Sequence, residues 1–140
     1  MPPSPPRLEV TCALLWRGGR LLLGRRADSG LWELPGGKRE RGEGLETCLA
    51  RELREELGVE VEVGRRLAAI RQPQGQRLLE LHCFLCRLRR GEPRAREHRE
   101  LAWLDPEAAR RLSLCPADAR LLAGLERRLG PADHAWLAGG

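Results

Sequence analysis

The sequence predicts a single α/β or α+β domain built on a mixed sheet. Three observations carry this expectation. Strand-like apolar segments alternate irregularly with helix-like ones, and no internal repeat occurs. The chain has 140 residues, enough to bury a core without a disulfide or a structural metal. Its composition, 41% hydrophobic and 32% charged, is that of a folded protein rather than a disordered one.

The elements follow in order. Residues 1–7 are proline-rich and are expected to form a disordered arm, with one domain over 8–132 and a C-terminal tail over 133–140. Residues 8–16 read as a strand, Arg17-Gly18-Gly19-Arg20 as a hairpin turn, and Leu21 onward as the return strand. Residues 24–44 are glycine-rich and read mostly as loop. Leu45, Leu49, Leu53 and Leu57 recur at helical spacing, and Gly58 follows as a C-cap. Residues 59–71 and 76–88 read as two strands joined around Pro73-Gln74-Gly75. Gly91-Glu92-Pro93 breaks the chain, and residues 101–104 form a short strand. Asp105-Pro106-Glu107 starts a helix, and residues 117–129 are expected to form one last amphipathic helix.

Composition also narrows the function. The longest uncharged apolar run is a handful of residues, against the roughly 20 a membrane-spanning helix needs. The first seven residues lack the apolar stretch of a secretory signal, so a cytoplasmic protein without a membrane partner is expected. The net charge is +5, and Lys38 is the only lysine among 25 basic residues. That charge suits an anionic ligand. The chain has no tyrosine and no basic block with interleaved aromatics, which argues against a nucleic-acid polymer as partner. Five cysteines without a signal peptide read as reduced thiols. Cys83 and Cys86 lie three apart on a strand and so face opposite sides, and no second pair completes a zinc site; they read as small buried hydrophobes.

One segment carries chemistry. On the helix, Glu52, Glu55 and Glu56 share a face beside the Leu49, Leu53 and Leu57 stripe. Arg51 and Arg54 are expected to project from another side. Three carboxylates in five residues repel one another unless a cation lies among them. Two readings stand: a hard divalent cation held by oxygen ligands, or a solvated acidic face. The preceding Pro35-Gly36-Gly37 loop can bring backbone groups to the same spot.

A longer pattern runs through the same segment. Gly37, Glu43, Arg51, Glu52, Leu53, Glu55, Glu56, Gly58 and Val59 fill the pattern G-x5-E-x7-R-E-U-x-E-E-x-G-U, with U a bulky aliphatic, at nine positions over 23 residues without departure. The chain therefore resembles the Nudix hydrolase family. This resemblance implies an α/β/α sandwich with a mixed sheet and a loop-helix-loop catalytic element. It implies hydrolysis of a nucleoside diphosphate linked to another moiety, with Mg²⁺, or Mn²⁺, as cofactor. Residues 31–38 (LWELPGGK), 95–103 (AREHRELAW) and 116–118 (PAD) are similar to the entry loop, a later metal-binding segment and a base-reading turn of MutT-type nucleoside triphosphate pyrophosphohydrolases.

The resemblance assigns roles residue by residue. Glu52, Glu55 and Glu56 become metal ligands, joined by the Gly37 carbonyl. Glu97, six residues before Trp103, becomes a further ligand or general base, with Glu100 as its rival in that loop. Glu43 and Arg51 are expected behind the ligands, Arg51 orienting the glutamates through ion pairs. Arg26, Lys38 and Arg77 are candidates for phosphate contacts. Asp118 either reads the base or caps the last helix. The implied reaction is attack at the β-phosphorus of a (deoxy)nucleoside triphosphate, giving monophosphate and pyrophosphate, in nucleotide-pool sanitation such as removal of 8-oxo-dGTP. The alternatives are a CTP or modified dCTP pyrophosphohydrolase and a non-catalytic nucleotide-sensing module. A hydrolase of ADP-ribose or dinucleoside polyphosphates fits the short chain less well. A monomer or weak homodimer is expected.

Overall fold

The computed structural model describes residues 3–139; Met1 and Pro2 of the expected arm, and Gly140, lie outside the described residues. Strands β1 (Arg7–Arg17) and β2 (Arg20–Arg25) form the expected hairpin, with Gly18 and Gly19 both at positive φ as a two-residue turn of this hand requires. The chain continues through β3 (Trp32–Glu33), β4 (Gly36–Lys38), α1 (Leu45–Leu57), β5 (Glu60–Gln74), β6 (Arg77–Arg90), β7 (Glu100–Leu104), α2 (Pro106–Arg110), α3 (Pro116–Ala123), α4 (Leu125–Arg128) and α5 (Pro131–Ala138). The sheet order is β3-β2-β1-β6-β5, with β4 beside β1 and β7 beside β2. β1 and β6 run parallel, from Arg7 opposite Leu78 to Leu15 opposite Cys86, and the other pairings are antiparallel. This is the mixed-sheet α+β architecture the sequence predicts.

The continuous apolar runs explain the layering. A strand that is apolar at every position needs cover on both faces. In β1, Ala13 and Leu15 turn toward α1 and pack with Leu49, Leu53 and Leu57. Cys12 and Leu14 turn the other way, toward Ala109, Leu121, Leu122 and Leu125 of α2, α3 and α4. Cys83 joins the second cluster and Cys86 the first, so the two cysteines face opposite sides of β6. Each of the fully buried leucines contributes on the order of 1.5–3 kcal/mol.

Three elements differ from the sequence expectation. The helix expected over 117–129 is two helices, α3 and α4, broken at Gly124. The segment expected as a tail over 133–140 carries most of α5, and β1 begins at Arg7, inside the expected arm. Tertiary partners stabilise α5. Asp133 accepts a hydrogen bond from the Gly130 amide at 2.9 Å and pairs with Arg65 at 2.8 Å. The Arg87 guanidinium stacks 4.1 Å from the centroid of Trp136, and Leu137 is buried in the core.

That packing gives a stability prediction. Leu137→Ala is expected to lower the unfolding free energy by about 2 kcal/mol or more in urea denaturation, as for a core leucine. A loss below about 0.5 kcal/mol, the range of surface substitutions, would mean that α5 is not docked.

Candidate active site

α1 places the glutamates, and its start and stop are local. Gly44 is its N-cap, and Gly58 ends it in the left-handed conformation with its amide bonded to the Arg54 carbonyl. The leucine stripe faces the sheet, so the adjacent stripe of Glu52 and Glu56 is carried partly inward, while Glu55 points outward and is half exposed. Glu56 is 7% exposed, and its Oε2 has no hydrogen-bond partner among the described residues. Burial, followed by the charges of Glu52, Glu33 and Glu97, pushes the Glu56 carboxyl up to about 9. Burial also raises Glu52, against the pull of Arg51.

Arg51 corrects one expectation. Its side chain does not project away from the glutamates but runs among them. It donates to Glu43 at 2.6 and 2.9 Å, to Glu52 at 3.0 Å and to Glu55 at 3.2 Å. Its hydrogen bonds hold the Glu43 carboxyl down at about 2. Glu43 is thus fixed behind the ligand face rather than on it. Arg54 lies elsewhere, 3.8 Å from Glu60.

Gly37 lies against Glu52. A Cβ at Gly37 would fall 2.2 Å from the Glu52 carboxyl carbon, so only glycine allows this approach. Thr11, fully buried on β1, donates to the Gly37 carbonyl at 3.2 Å. Glu97 arrives on a loop clipped at both ends. The Arg96 amide bonds to the Glu56 carbonyl at 3.2 Å, and the Arg99 amide bonds to the Arg25 carbonyl at 2.8 Å. Glu97 and Glu56 line one small cavity of about 220 Å³. The rival Glu100 pairs with Arg25 on β7 and lies outside that cavity.

A larger cavity of about 630 Å³ runs from Glu52, Glu56, Gly37 and Lys38 to Asp118, with the apolar side chains of Leu8, Val10, Leu79 and Leu81 among its walls. Arg26, Lys38 and Arg77 also line it. Arg26 is already held by Asp28 at 2.8 Å and by Glu33 at 3.1 Å, so its charge is largely compensated. No ion pair occurs for Lys38 or Arg77 among the described residues, which leaves those two as the available cations. Asp118 is not the helix cap: Cys115 holds the N-cap position of α3, and Asp118 sits in the first turn. Its carboxylate accepts the Leu34 amide at 2.9 Å, tying α3 to the loop before Pro35. It is 6% exposed, and burial pushes its carboxyl up to about 7 while the Leu34 amide pulls the other way.

The sequence reading missed Glu33, which lines both cavities and lies within the quoted 31–38 segment. It also missed Thr11, whose signal is a polar residue between the apolar Val10 and Cys12 of β1.

The donor set fits a hard divalent cation. Glu52, Glu56, Glu97 and the Gly37 carbonyl offer only oxygen, and one buried carboxylate oxygen is left without a partner. The Glu9, Glu80 and His82 group, not the α1 glutamates, is the one that brings potential ligand atoms of three side chains within 4.8 Å of one another among the described residues. There the charges are already met. Arg39 donates twice to Glu9 and Arg71 once to Glu80. Arg66 lies 3.4 Å from Nδ1 of His82, and donation to that nitrogen leaves the ring proton on Nε2, facing Glu9. That tautomer has no lone pair on Nε2 for a metal.

The burial of Asp118 sets a pH dependence. Its folded value, about 7, lies above the unfolded value near 4, so the folded state holds the extra proton between them. Its stabilising contribution is complete below about pH 4 and is lost as pH rises through 7. Asp118→Asn keeps an acceptor for the Leu34 amide. The variant is expected to be more stable than the parent at pH 8, on the order of 2–4 kcal/mol, and to lose that advantage at pH 4 in thermal unfolding. An unchanged pH slope would show that Asp118 is ionised throughout.

Comparison with known proteins identifies the family. The NUDIX domain family profile matches residues 5–125. An E. coli K12 protein named CTP pyrophosphohydrolase is 39% identical over 132 residues, covering 90% of this chain and 98% of the relative. A Mycobacterium tuberculosis protein provisionally named 8-oxo-dGTP diphosphatase 2 is 39% identical over 127 residues, covering 86% of this chain and 89% of the relative. The solution structure of the E. coli ORF135 protein superposes with a TM-score of 0.80 at 38% identity, covering 89% of this chain and 91% of that one. With the profile matching most of its length and a relative 39% identical over 132 residues, the chain belongs to the Nudix hydrolase family.

Proposed function

We propose that this chain is a Mg²⁺-dependent (deoxy)nucleoside triphosphate pyrophosphohydrolase that releases nucleoside monophosphate and pyrophosphate. The observation that carries the reading is a single cavity lined both by the buried carboxylates Glu52 and Glu56 and by Asp118. A nucleotide needs both: a charged part for phosphates and a selective one for the base.

Glu52, Glu56, Glu97 and the Gly37 carbonyl would hold the ion, with Glu55 at the exposed margin. When bound, the ion neutralises charge on the phosphoryl oxygens and makes a coordinated water more acidic. Arg51 keeps Glu43, Glu52 and Glu55 from splaying apart. Lys38 and Arg77 would take phosphate oxygens. A site carboxylate, Glu97 by its place on the accessible loop, would accept the water proton. The water oxygen attacks the β-phosphorus, and the bond to the α–β bridging oxygen breaks, so that oxygen leaves with the monophosphate. Asp118 would accept from donor groups on the base edge. The two relatives' names point to different bases, CTP in one and 8-oxo-dGTP in the other. Either activity fits a cytoplasmic enzyme of nucleotide-pool sanitation that spares DNA from damaged precursors. Retention of every box glutamate favours an enzyme over a sensing module.

Two measurements test this. A nucleotide panel with Mg²⁺ is expected to release pyrophosphate and not orthophosphate, and to stop on chelation. Release of orthophosphate, or no turnover of any triphosphate, would refute the reading. Glu56→Gln keeps shape and removes charge. It is expected to lower kcat by two or more orders of magnitude, while the metal-free melting temperature holds or rises because folding no longer has to bury an ionisable carboxyl. Near-normal turnover would remove Glu56 from the ligand set.

A further inference from the structure

His98 is out of character with its surroundings. Residues 94–97, 99 and 100 are exposed, yet His98 is 8% exposed, and a change in strand β2 makes room for it. β2 is leucine at three successive positions and then Gly24. A Cβ at Gly24 would lie 2.5 Å from the His98 ring carbon Cδ2, so the glycine is the notch in which the ring sits. Gly24 pairs in register with Glu33 on β3. The ring therefore lies beside Glu33, with Nε2 at 3.0 Å from Glu33 Oε2, while Arg26 donates to the other oxygen at 3.1 Å.

Both oxygens of Glu33 are thus held, one by each partner. This matters because Glu33 lines both cavities and its charge is felt by both Glu56 and Asp118. Nδ1 of His98 has no partner among the described residues, whereas Nε2 faces a carboxylate, which puts the ring proton on Nε2. His98 also follows Glu97 directly. Through Nε2 this one buried ring holds the carboxylate that lines both cavities.

We propose that His98, seated against Gly24, is a positioning residue for nucleotide binding: it holds the Glu33 carboxylate, which lines both cavities. His98 touches neither nucleotide nor ion; it acts through Glu33. The proposal rests on the reading of the large cavity as a nucleotide site.

The test has a ligand-free arm and a kinetic arm. In long-range ¹H–¹⁵N NMR spectra of the ligand-free protein, His98 is expected as the Nε2–H tautomer, with its Nε2 resonance shifted by Glu33→Gln. The Nδ1–H tautomer, or no response to Glu33→Gln, overturns the proposal. Kinetically, His98→Ala is expected to raise KM for the best nucleoside triphosphate about tenfold with kcat within about threefold. His98→Gln, whose amide can donate to Glu33, is expected to recover most of that loss. In a Glu33→Gln background, His98→Ala is expected to change KM less than about twofold, because the partner is already altered. A KM rise of the same size in both backgrounds, or a change only in melting temperature, overturns the proposal. If no triphosphate binds but the NMR signature is present, the nucleotide reading fails while the His98–Glu33 contact stands.

Discussion

The site is organised around an electrostatic problem: Glu56 is buried where it feels the charges of Glu52, Glu33 and Glu97. An ionised carboxylate removed from water is costly unless a cation or hydrogen-bond donors replace the solvent. Arg51 meets part of that need for Glu52, and Arg26 and His98 meet it for Glu33. Glu56 remains with one oxygen unmet, and the ligand-free protein accommodates it as a neutral acid. Cation binding would convert that acid to a carboxylate and release a proton, which couples metal affinity to pH.

The sheet makes such a concentration of like charge tolerable because its own folding does not depend on it. β1 is paired along most of its length to β6 and covered on both faces, so the strand is fixed by burial and by main-chain hydrogen bonds. On its other edge β1 changes partner, from β4 at Val10–Cys12 to β2 at Trp16–Arg17. Between these pairings the Ala13 amide bonds to the Pro35 carbonyl, and the loop carrying Leu34 through Lys38 lies against the strand. The large cavity lies where sheet pairing gives way to loop. Adjacent residues of β1 serve its two sides: Thr11 backs the Gly37 carbonyl, and Val10 and Cys12 line the cavity wall.

Arginine does most of the second-layer work. Its planar fork can bond several oxygens at once, which a lysine ammonium does less well. Arg51 spans Glu43, Glu52 and Glu55, and Arg26 spans Asp28 and Glu33. The same logic applies at the separate Glu9, Glu80 and His82 group, where Arg39 and Arg71 donate to the two carboxylates and Arg66 approaches Nδ1 of His82, while Nε2 has no hydrogen-bond partner among the described residues. The abundance of arginine therefore leaves few free cations facing the large cavity, and selects Lys38 and Arg77 from among many basic residues.

The sequence by itself determined everything that depends on spacing along the chain. The leucine period set α1 over residues 45–57, Gly58 ended it, and alternation and turn residues set β1, β2, β5 and β6 to within a few residues. The order Gly37, Glu43, Arg51, Glu52, Glu55 and Glu56 located the ligand helix, because helical geometry fixes which residues share a face. Tertiary structure decided what depends on distant partners. The reach of Arg51 into its own glutamates follows from where Glu43 lies after the loop folds back. The placement of Glu97, and not Glu100, beside Glu56 in the small cavity follows from the clips to Glu56 and Arg25 on two different elements. The helix at 131–138 has a weak period of its own, and it forms because Trp136 and Leu137 find Arg87 and the core. The roles of Glu33 and His98 required the Gly24 notch, a vacancy on a third segment that no local pattern can show, since packing joins residues by shape and charge irrespective of their order in the chain.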